Sequence, residues 1–497
     1  MQYGFLIDHD RCIGCHACTV ACKSENDVPI GNFRPWVKYT ERGSYPDIRR
    51  HFAVLRCNHC SKAPCVTICP VNALEKRADG IVDIDRDACI GCRACMQACP
   101  YDAIYLNDDR GSVEKCHFCA HRVEKGLEPA CAVVCPENAI ISGDIHDPQS
   151  TISRLIAAND VSVRRGEQRT GPNVYYKGVL AEALQPGVAE EPATFIWSDR
   201  PKHRPEAWPA KVAADPNIRT VLDVEHRIEW GWAVALYLVT KGVAAGVAML
   251  APFAAAIGLK GRALAYMPEI VALIFIGITG FLLVEDLKKP LTFFRLFTRP
   301  NWNSWLVKGA WVINVFVAVI FATLLLRLFG LDIAADMLRW VGLVCGAGVA
   351  GYTAFLFAQC EGRDLWQSRL LLPHLLVQAV MCGCAAFLVF HPAVWSRGES
   401  VSVLLPLLFT ASALAHAMFA LSECRMHHET SNAQQAAAFL PHIRLAGLPC
   451  VTTSYVLLAI AIACAFLLPW VTFLPALCSL YLYEHAYIRA GQLPPLS

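Results

Sequence analysis

The chain has 497 residues and a formal net charge of +2, with 55% apolar and only 17% charged residues. This balance excludes a strongly basic surface for nucleic acid and is too apolar for an ordinary soluble protein. The chain is polar and rich in Lys, Arg, Asp and Pro up to Asp223, and mostly apolar beyond Trp230. We therefore expect a soluble domain followed by a membrane domain.

The cysteines are concentrated in the polar half. The chain has 24 of them, and sixteen fall between Cys12 and Cys135. The first residues, "MQYGFLIDHDRC", contain neither a basic and apolar signal peptide nor a twin-arginine segment. Tight, regular cysteine spacing in such a chain favours metal ligation over a framework of disulfides.

The sixteen cysteines form four groups of four, and proline follows the last cysteine of each group except the first, where Lys23 stands. The groups are Cys12, Cys15, Cys18 and Cys22; Cys57, Cys60, Cys65 and Cys69; Cys89, Cys92, Cys95 and Cys99; and Cys116, Cys119, Cys131 and Cys135.

The CxxCxxC spacing is typical of iron–sulfur proteins. It lets one tight loop supply three corners of a cubic cluster, while a fourth cysteine, on the next helical turn, reaches a neighbouring cluster. Zinc is the competing metal, but a zinc ribbon uses paired CxxC units and has no need of the third and fourth cysteines at this spacing. Because all four groups are complete, the sequence predicts four 4Fe–4S clusters and no 3Fe–4S centre.

The order of the groups resembles the four-cluster electron-transfer subunit of the dimethyl sulfoxide reductase superfamily of molybdopterin oxidoreductases. The string "TGPNVYYKG" (170–178) resembles the end of such subunits. The resemblance implies an α+β ferredoxin-like fold of duplicated two-cluster modules over residues 1–180. It also implies that the first group pairs with the fourth and the second with the third. The implied ligand sets are Cys12, Cys15, Cys18 and Cys135; Cys116, Cys119, Cys131 and Cys22; Cys57, Cys60, Cys65 and Cys99; and Cys89, Cys92, Cys95 and Cys69.

Residues 181–225 are predicted to be a linker arm. The stretch from Glu190 to Pro216 contains several prolines and cannot form one continuous helix. Aromatic residues such as Trp197 and Trp208 favour an arm that is ordered against other parts of the protein.

Residues 226–497 are predicted to be an all-α bundle of eight membrane-spanning helices, with seven as the alternative count because only "LLPW" separates the last two. Glycine pairs such as Gly242–Gly246 suit close helix packing. The apolar runs lie near 230–252, 266–284, 306–328, 338–359, 370–391, 401–423, 447–468 and 471–488.

With eight spans, the connections on the side of the polar domain carry twice as many Lys and Arg residues as those on the other side. The positive-inside rule then places the cysteine groups in the cytoplasm, at the inner membrane of a bacterium. A catalytic partner with its own twin-arginine signal would instead carry the domain to the periplasm.

Several phrases of the apolar half resemble the polysulfide reductase membrane-anchor family, of the NrfD type. The most specific is "TGFLLVEDLKKPLTFFRLFTRPNWNSWLVKGAW" (279–311), and "EWGWAVALYLVTKGVAAG" (229–246), "AGYTAFL" (350–356) and "YEHAYIRAGQLPPLS" (483–497) support it. The resemblance implies an eight-helix, haem-free anchor that exchanges electrons with ubiquinone or menaquinone in the lipid. The chain thus resembles a fusion of two subunits that are often separate.

Four residues are candidates for the quinone site: His226, Lys241, Tyr352 and His374. A quinone headgroup needs hydrogen-bond donors at its carbonyls and two protons on reduction, and ionisable groups inside a membrane are functional candidates. Packing or snorkelling is the alternative for each. A haem bound by His374 and His416 is a rival that the resemblance argues against.

We therefore expect an electron-transfer and quinone-reactive membrane subunit, with a separate large molybdopterin subunit, containing Mo or W, that converts the substrate. The missing export signal favours an oxidising enzyme of formate or of a sulfur compound, and reduction of a sulfur compound is the rival. A redox-driven proton pump and a passive anchor are the other functions considered. No nucleic-acid partner is expected.

Overall fold

The computed structural model describes residues 1–185, 217–256, 262–390 and 401–496. It consists of a cysteine-rich region (3–223), built from short strands and helices, and a helical region (228–496). This confirms the predicted order of an α+β ferredoxin-like domain followed by an all-α bundle.

The strands of the cysteine-rich region are short and lie between the cysteine loops. They are β1 (Tyr3–Asp8), β2 (Trp36–Arg42), β3 (Arg49–Leu55), β4 (Leu74–Lys76), β5 (Val82–Ile84), β6 (Ile104–Asn107), β7 (Ser112–Lys115), β8 (Ile140–Asp144), β9 (Val174–Lys177) and β10 (Ile218–Leu222). The helices are α1 (Ala17–Asn26), α2 (Pro64–Ile68), α3 (Ala94–Ala98), α4 (Ala120–Val123), α5 (Ala130–Val133), α6 (Thr151–Ala158) and α7 (Ala181–Leu184).

The strands pair in small sheets rather than in one large sheet. Strand β1 lies between β8, to which it is antiparallel, and β9, to which it is parallel. Strand β2 lies between β3 and β10. The pairs β4–β5 and β6–β7 are hairpins. Strand β10 lies inside the predicted linker and pairs with β2, so this part of the linker belongs to the cysteine-rich region. Residues 186–216 of that linker, with Trp197 and Trp208, lie outside the described residues, and the boundaries 1–180, 181–225 and 226–497 stay predictions.

The repeated phrases "CIGCHAC" and "CIGCRAC" have the same backbone conformation. Gly14 and Gly91 have φ values of 70° and 71°, and the residues before the two helices, His16 and Arg93, have φ values of 61° and 59°. Positive φ is easy for glycine and uncommon for other residues. The match in four left-handed residues indicates that the two loops are copies of one structural unit.

Lys23 has a structural explanation. Helices α2 and α3 end at Ile68 and Ala98, and in each case the next two residues are the last cysteine of the group and a proline, whereas α1 continues to Asn26. A proline at position 23 would lie inside α1 and break its hydrogen bonds. The Lys23 ammonium donates to the carbonyls of Pro29 (2.9 Å) and Asn32 (2.5 Å), which ties the helix to the following loop.

The helical region contains eight long helices among the described residues, and their directions alternate. They are α8 (Trp232–Ala256), α9 (Arg262–Glu285), α11 (Trp305–Leu328), α12 (Asp332–Ala358), α13 (Leu371–Val389), α14 (Val401–Arg425), α16 (Cys450–Leu467) and α17 (Phe473–Gln492). Two short helices, α10 (Arg295–Thr298) and α15 (Ser431–Phe439), and a small hairpin of β11 (Arg444–Leu445) and β12 (Leu448–Pro449) lie in the connections.

Seven of these helices, within the described part of the chain, are long and apolar enough to cross a membrane. The eighth, α17, has a similar length but carries Glu484, His485 and Arg489. It packs along α16, α8 and α13, and its C-terminal end lies beside the cysteine-rich region, as the start of α8 does. The described residues thus contain eight long helices, of which seven are candidate membrane spans, so the number of spans stays a prediction.

Small residues bring the central helices close together. A side chain at Gly246 would overlap the Ala379 carbonyl of α13, and one at Gly346 would come within 2.9 Å of the Ala245 carbonyl of α8. Helix α8 is accordingly the most enclosed of the membrane-crossing candidates. The predicted role of Gly246 in close packing is confirmed.

Candidate functional site

Two cavities of the cysteine-rich region are each lined by four predicted cysteine ligands. The second site is formed by Cys57, Cys60, Cys65 and Cys99 around about 320 Å³ that protein atoms leave unfilled. The third site is formed by Cys69, Cys89, Cys92 and Cys95 around about 310 Å³. Each cavity thus takes three cysteines from one group and the fourth from the other group.

The other two sites also take their fourth cysteine from another group. The first site consists of Cys12, Cys15, Cys18 and Cys135, and the fourth site consists of Cys22, Cys116, Cys119 and Cys131. Burial, together with the neighbouring Cys135 and Cys15, raises the pKa of Cys12. The Asn26 amide lies 3.5 Å from the Cys22 sulfur and 3.8 Å from that of Cys119, so it bridges two thiols of the fourth site. Among the described residues, no group of His, Cys, Asp and Glu converges on a point as a single metal ion requires.

The cysteine sites have the donors that iron–sulfur clusters need. Burial raises the pKa of most of these thiols, for example that of Cys99 to about 11. A thiol with such a pKa is protonated at neutral pH, so cluster binding has to displace its proton. Bound clusters would supply one-electron carriers, and these residues would hold them.

The four sites differ in exposure. Cys15 is exposed, and Cys12 and Cys135 are half-buried, so the first site lies at the surface. All four cysteines of the second site are buried, and in the third site only Cys92 is less than fully buried. A histidine among the ligands, His59, is also buried. It accepts a hydrogen bond from the Val82 amide (3.1 Å), and burial lowers its pKa well below the usual value.

The third site is held by residues of the helical region. The Asn301 side chain donates to the Cys69 carbonyl (2.8 Å), and the Ser304 hydroxyl donates to the Ile68 carbonyl (2.7 Å). The Trp230 indole donates to the Cys92 carbonyl (3.3 Å). Both backbone segments that carry the cysteines of this site are thus fixed from outside the cysteine-rich region.

Arg93, inside the repeated phrase, binds two segments of the helical region. Its guanidinium donates to the Glu229 carbonyl (2.7 Å) and forms an ion pair with the Asp286 carboxylate (2.6 Å). We call the contact between the two regions, which includes these bonds of Arg93 and those of Trp230, Asn301 and Ser304, the seam. At the seam, the membrane half is joined to the loop that holds Cys92 and Cys95.

His226 lies at the seam and not among the long helices. Its Nδ1 is 2.7 Å from Asp102, and its Nε2 is 2.6 Å from the Gln492 carbonyl at the end of α17. The Gln492 side chain in turn accepts a hydrogen bond from Gln97 (3.0 Å), close to Cys99 in chain order. With both ring nitrogens occupied, His226 joins three segments of the chain.

The other three quinone candidates lie inside the bundle. The Lys241 ammonium donates to the Thr353 hydroxyl and lies 4.8 Å from the centre of the Tyr352 ring. Lys241 and His374 are 1% and 3% exposed. The structure therefore brings Lys241 and Tyr352 into contact and separates them from His226.

His374 belongs to a chain of buried polar groups. Its Nε2 lies 2.8 Å from His416 Nδ1 and 3.3 Å from the Gln378 amide. Gln378 donates to the Glu484 carboxylate (2.7 Å), and Glu484 interacts electrostatically with Lys241. We call Lys241, Thr353, His374, Gln378, His416 and Glu484 the polar cluster. Glu484 was absent from the predicted site, although an ionisable residue within a predicted span was the available signal.

The polar cluster lies in the half of the bundle near the cysteine sites. Glu484 is eight residues before Gln492, which at the helical rise corresponds to about 12 Å from the seam. A second set of charges lies near the opposite ends of the helices, where Arg339 pairs with Glu269 (2.7 Å) and Arg327 pairs with Asp332 (2.9 Å).

The fold and these sites define an iron–sulfur protein joined to a membrane-integral helical bundle. Family comparisons match residues 3–24 to a 4Fe-4S binding domain, 48–145 to a 4Fe-4S dicluster domain, and 220–484 to "Polysulphide reductase, NrfD". The chain therefore belongs to the NrfD family of polysulphide reductase proteins, with an iron–sulfur dicluster domain in the same polypeptide.

Curated relatives match the cysteine-rich region. The chain is 43% identical to a tetrathionate reductase subunit of Salmonella typhimurium over 202 residues, which are 40% of this chain and 80% of that protein. It is 38% identical to a component of the polysulfide reductase of Wolinella succinogenes over 177 residues, 35% of this chain and 93% of that protein. It is 35% identical to the arsenate respiratory reductase iron-sulfur subunit ArrB of a Shewanella species over 224 residues, 35% of this chain and 96% of that protein. The chain is thus an oxidoreductase subunit of the membrane, and a catalytic partner subunit is implied.

Proposed function

We propose that the chain carries four 4Fe–4S clusters and transfers single electrons between a molybdopterin catalytic subunit, containing Mo or W, and quinone in the membrane. The observation that carries the proposal is the seam, where Trp230, Arg93 and Asn301 join the third site directly to the helical region. An electron that reaches the third site is therefore beside the membrane half.

Each of the four sites would hold one cluster. Its ligands would be the four cysteines given above for that site. The exchange of the fourth cysteine between groups supports cubic clusters rather than zinc, since this spacing is that of two-cluster ferredoxins. The sites then form a series in which the first is open to solvent and the third faces the helical region.

The polar cluster, with Tyr352, is the proposed quinone site. Lys241 and His374 would donate hydrogen bonds to the two carbonyls of the quinone headgroup, and Glu484 would exchange a proton with it. Its position on the near side of the bundle supports this assignment, because the electron has only a short distance to travel from the third site. His226 would act from the seam, by holding the end of α17 that carries Glu484.

The arrangement of His374 and His416 supports the quinone over a haem. Two imidazoles bound to opposite faces of one metal ion need nitrogens roughly 4 Å apart, given metal–nitrogen bonds of about 2 Å. Here the two nitrogens are 2.8 Å apart and in hydrogen-bond contact.

The substrate would be bound and converted by the catalytic partner subunit. The names of the relatives, which include tetrathionate and polysulfide reductase subunits, favour a sulfur-compound reductase over a formate dehydrogenase. The excess of basic residues at the near-side connections favours the bacterial inner membrane with the cysteine sites in the cytoplasm. A partner with a twin-arginine signal would place them in the periplasm.

The test is to purify the complex anaerobically in detergent and to measure iron, sulfide and EPR spin count. We expect about sixteen iron atoms per chain and four reducible clusters. Fewer clusters would contradict the ligand assignment, and a haem b absorption band would contradict the haem-free site. Reduction of the clusters by a quinol analogue should be lost in Lys241→Met and His374→Ala. If both variants react normally, the helical region is a passive anchor.

A further inference from the structure

Arg56 is a fully buried cation between the cysteine sites. It follows β3 and directly precedes Cys57, and it is 0% exposed. Its Nη2 lies 3.1 Å from the Cys131 sulfur, and its guanidinium carbon lies 4.0 Å from the centre of the Phe5 ring. Cys116 and Cys18 are its next electrostatic neighbours. Arg56 thus contacts the fourth site and borders the first, while its electrostatic effect on the adjoining Cys57 of the second site is smaller than that of Lys115.

The charge of Arg56 has no carboxylate to balance it among the described residues. Its Nε and Nη1 are buried there without a hydrogen-bond partner. Arg34, which is also buried near Cys22, differs because Glu114 pairs with it at 3.1 Å. A buried guanidinium that lacks a counter-charge is costly, since removing a charge from water must be offset by a nearby opposite charge.

The missing counter-charge fits the proposed function. Four thiolates give a bound cluster a net negative charge, and reduction adds one more electron without breaking a bond or moving a proton. Hydrogen bonds to the sulfurs and nearby charge are the factors by which a protein sets the reduction potential of such a site. Arg56 is placed to act in this way, because its Nη2 contacts the Cys131 sulfur and its Nε and Nη1 have no other partner among the described residues.

We propose that Arg56 is a positioning residue that raises the reduction potential of the fourth site, and to a smaller extent that of the first, by supplying a buried positive charge and N–H donors to their sulfur atoms. This inference rests on the proposed cluster function of the cysteines. It assigns the fourth site, together with the first, a cation that makes reduction easier on the side of the series away from the seam.

The chain offers a closely matched control in Arg164. It is also 0% exposed, its Nε and Nη1 also lack partners among the described residues, and its Nη2 also makes one hydrogen bond. That bond goes to the Leu496 carbonyl (2.8 Å) rather than to a cysteine. Replacing Arg164 therefore removes an equally buried charge without removing a contact to a cysteine.

The experiment is an EPR-monitored redox titration of the full-length complex. In Arg56→Gln and Arg56→Met, we expect at least one reduction step to shift to lower potential while at least two steps stay in place. Arg56→Lys, which keeps the charge, should shift less, and Arg164→Met should shift none. Unchanged potentials in the neutral Arg56 variants, or an equal shift in Arg164→Met, would overturn the inference.

A second measurement covers the case in which the neutral variants fail to assemble. In protein grown with isotope-labelled arginine, pulsed EPR of the reduced wild type should detect a nitrogen coupling that Arg56→Lys loses and Arg164→Lys retains. A coupling that persists in Arg56→Lys would overturn the inference. Iron analysis of the wild type separates the two hypotheses, because a wild type without clusters contradicts the proposed function, whereas four clusters with no Arg56 effect contradict only this inference.

Discussion

The first and third cysteine sites use the same loop conformation in different surroundings. Around the first site, Cys15 is exposed and so are neighbouring apolar side chains such as Ile13 and Val20. Around the third site, Trp230 of the helical region donates to the Cys92 carbonyl of this loop, and Asn301 donates to the carbonyl of Cys69, the fourth cysteine of the site. Two copies of one structural unit can therefore have different roles because their surroundings differ. One copy is open to solvent, and the other is enclosed at the seam.

The largest expected effect comes from removing one ligand at each end. Cys92→Ser should lower electron exchange with quinol by more than roughly 100-fold, because it removes a cluster ligand at the seam and even the loss of a residue that supports a ligand costs up to about 100-fold. The clusters of the other sites should still be reduced by dithionite. Cys15→Ser should instead preserve the fast reduction of the inner clusters by quinol and block transfer to the catalytic partner. Stopped-flow bleaching of the iron–sulfur absorbance measures both, and identical behaviour of the two variants would contradict the assigned order.

A slightly smaller effect is expected from Glu484, the proposed proton-exchanging group of the polar cluster. Glu484→Gln keeps the shape of the side chain but removes its ability to carry a proton, so quinol oxidation should fall by roughly 100-fold. Cluster content and reduction by dithionite should not change. Glu269→Gln, a buried carboxylate at the opposite ends of the helices, is the control and should retain the quinol reaction. If the Glu269 variant loses the reaction and the Glu484 variant does not, the quinone site lies at the opposite ends of the helices.

The seam itself can be broken by Arg93→Ala. This change removes a buried guanidinium that binds Glu229 and Asp286, so it should lower the free energy of unfolding by about 2 kcal/mol. The melting temperature in detergent should fall, and the third site should lose iron first. Arg369→Ala, in an ion pair whose side chains are 91% and 87% exposed, should change stability by less than about 0.5 kcal/mol. Equal melting temperatures for the two variants would show that the seam contributes little.

The smallest effect concerns pH. Burial would raise the pKa of Asp102, but the neighbouring His226 and the more distant Arg363 outweigh it and lower that pKa. The stability from this carboxylate is therefore present above its unfolded pKa and is lost as the pH falls through the lower folded value. Thermal unfolding measured from pH 7 to pH 3 should show a steeper loss in wild type than in Asp102→Asn. Parallel curves would mean that protonation of Asp102 is not coupled to unfolding, so its contact with His226 does not contribute to the pH dependence.

Prediction from sequence succeeded where the signal was local. The cysteine spacing indicated tight loops followed by short helices, and long apolar runs indicated the helices of the bundle. The bounds were less accurate: the last span, predicted at 471–488, is the helix Phe473–Gln492. Glu484 was outside the predicted site because a carboxylate near the end of an apolar run has no local feature that shows which helices surround it.

The sequence by itself determined the chemistry of this protein, because sixteen cysteines at ferredoxin spacing and a run of apolar segments follow from residue identity and order alone. Only the tertiary structure decided which cysteine site faces the membrane half. It placed His226 at the seam and away from Lys241, and it put Arg56 beside Cys131. These relations join residues 75 to more than 100 positions apart, and contacts at such separation depend on how the whole chain packs.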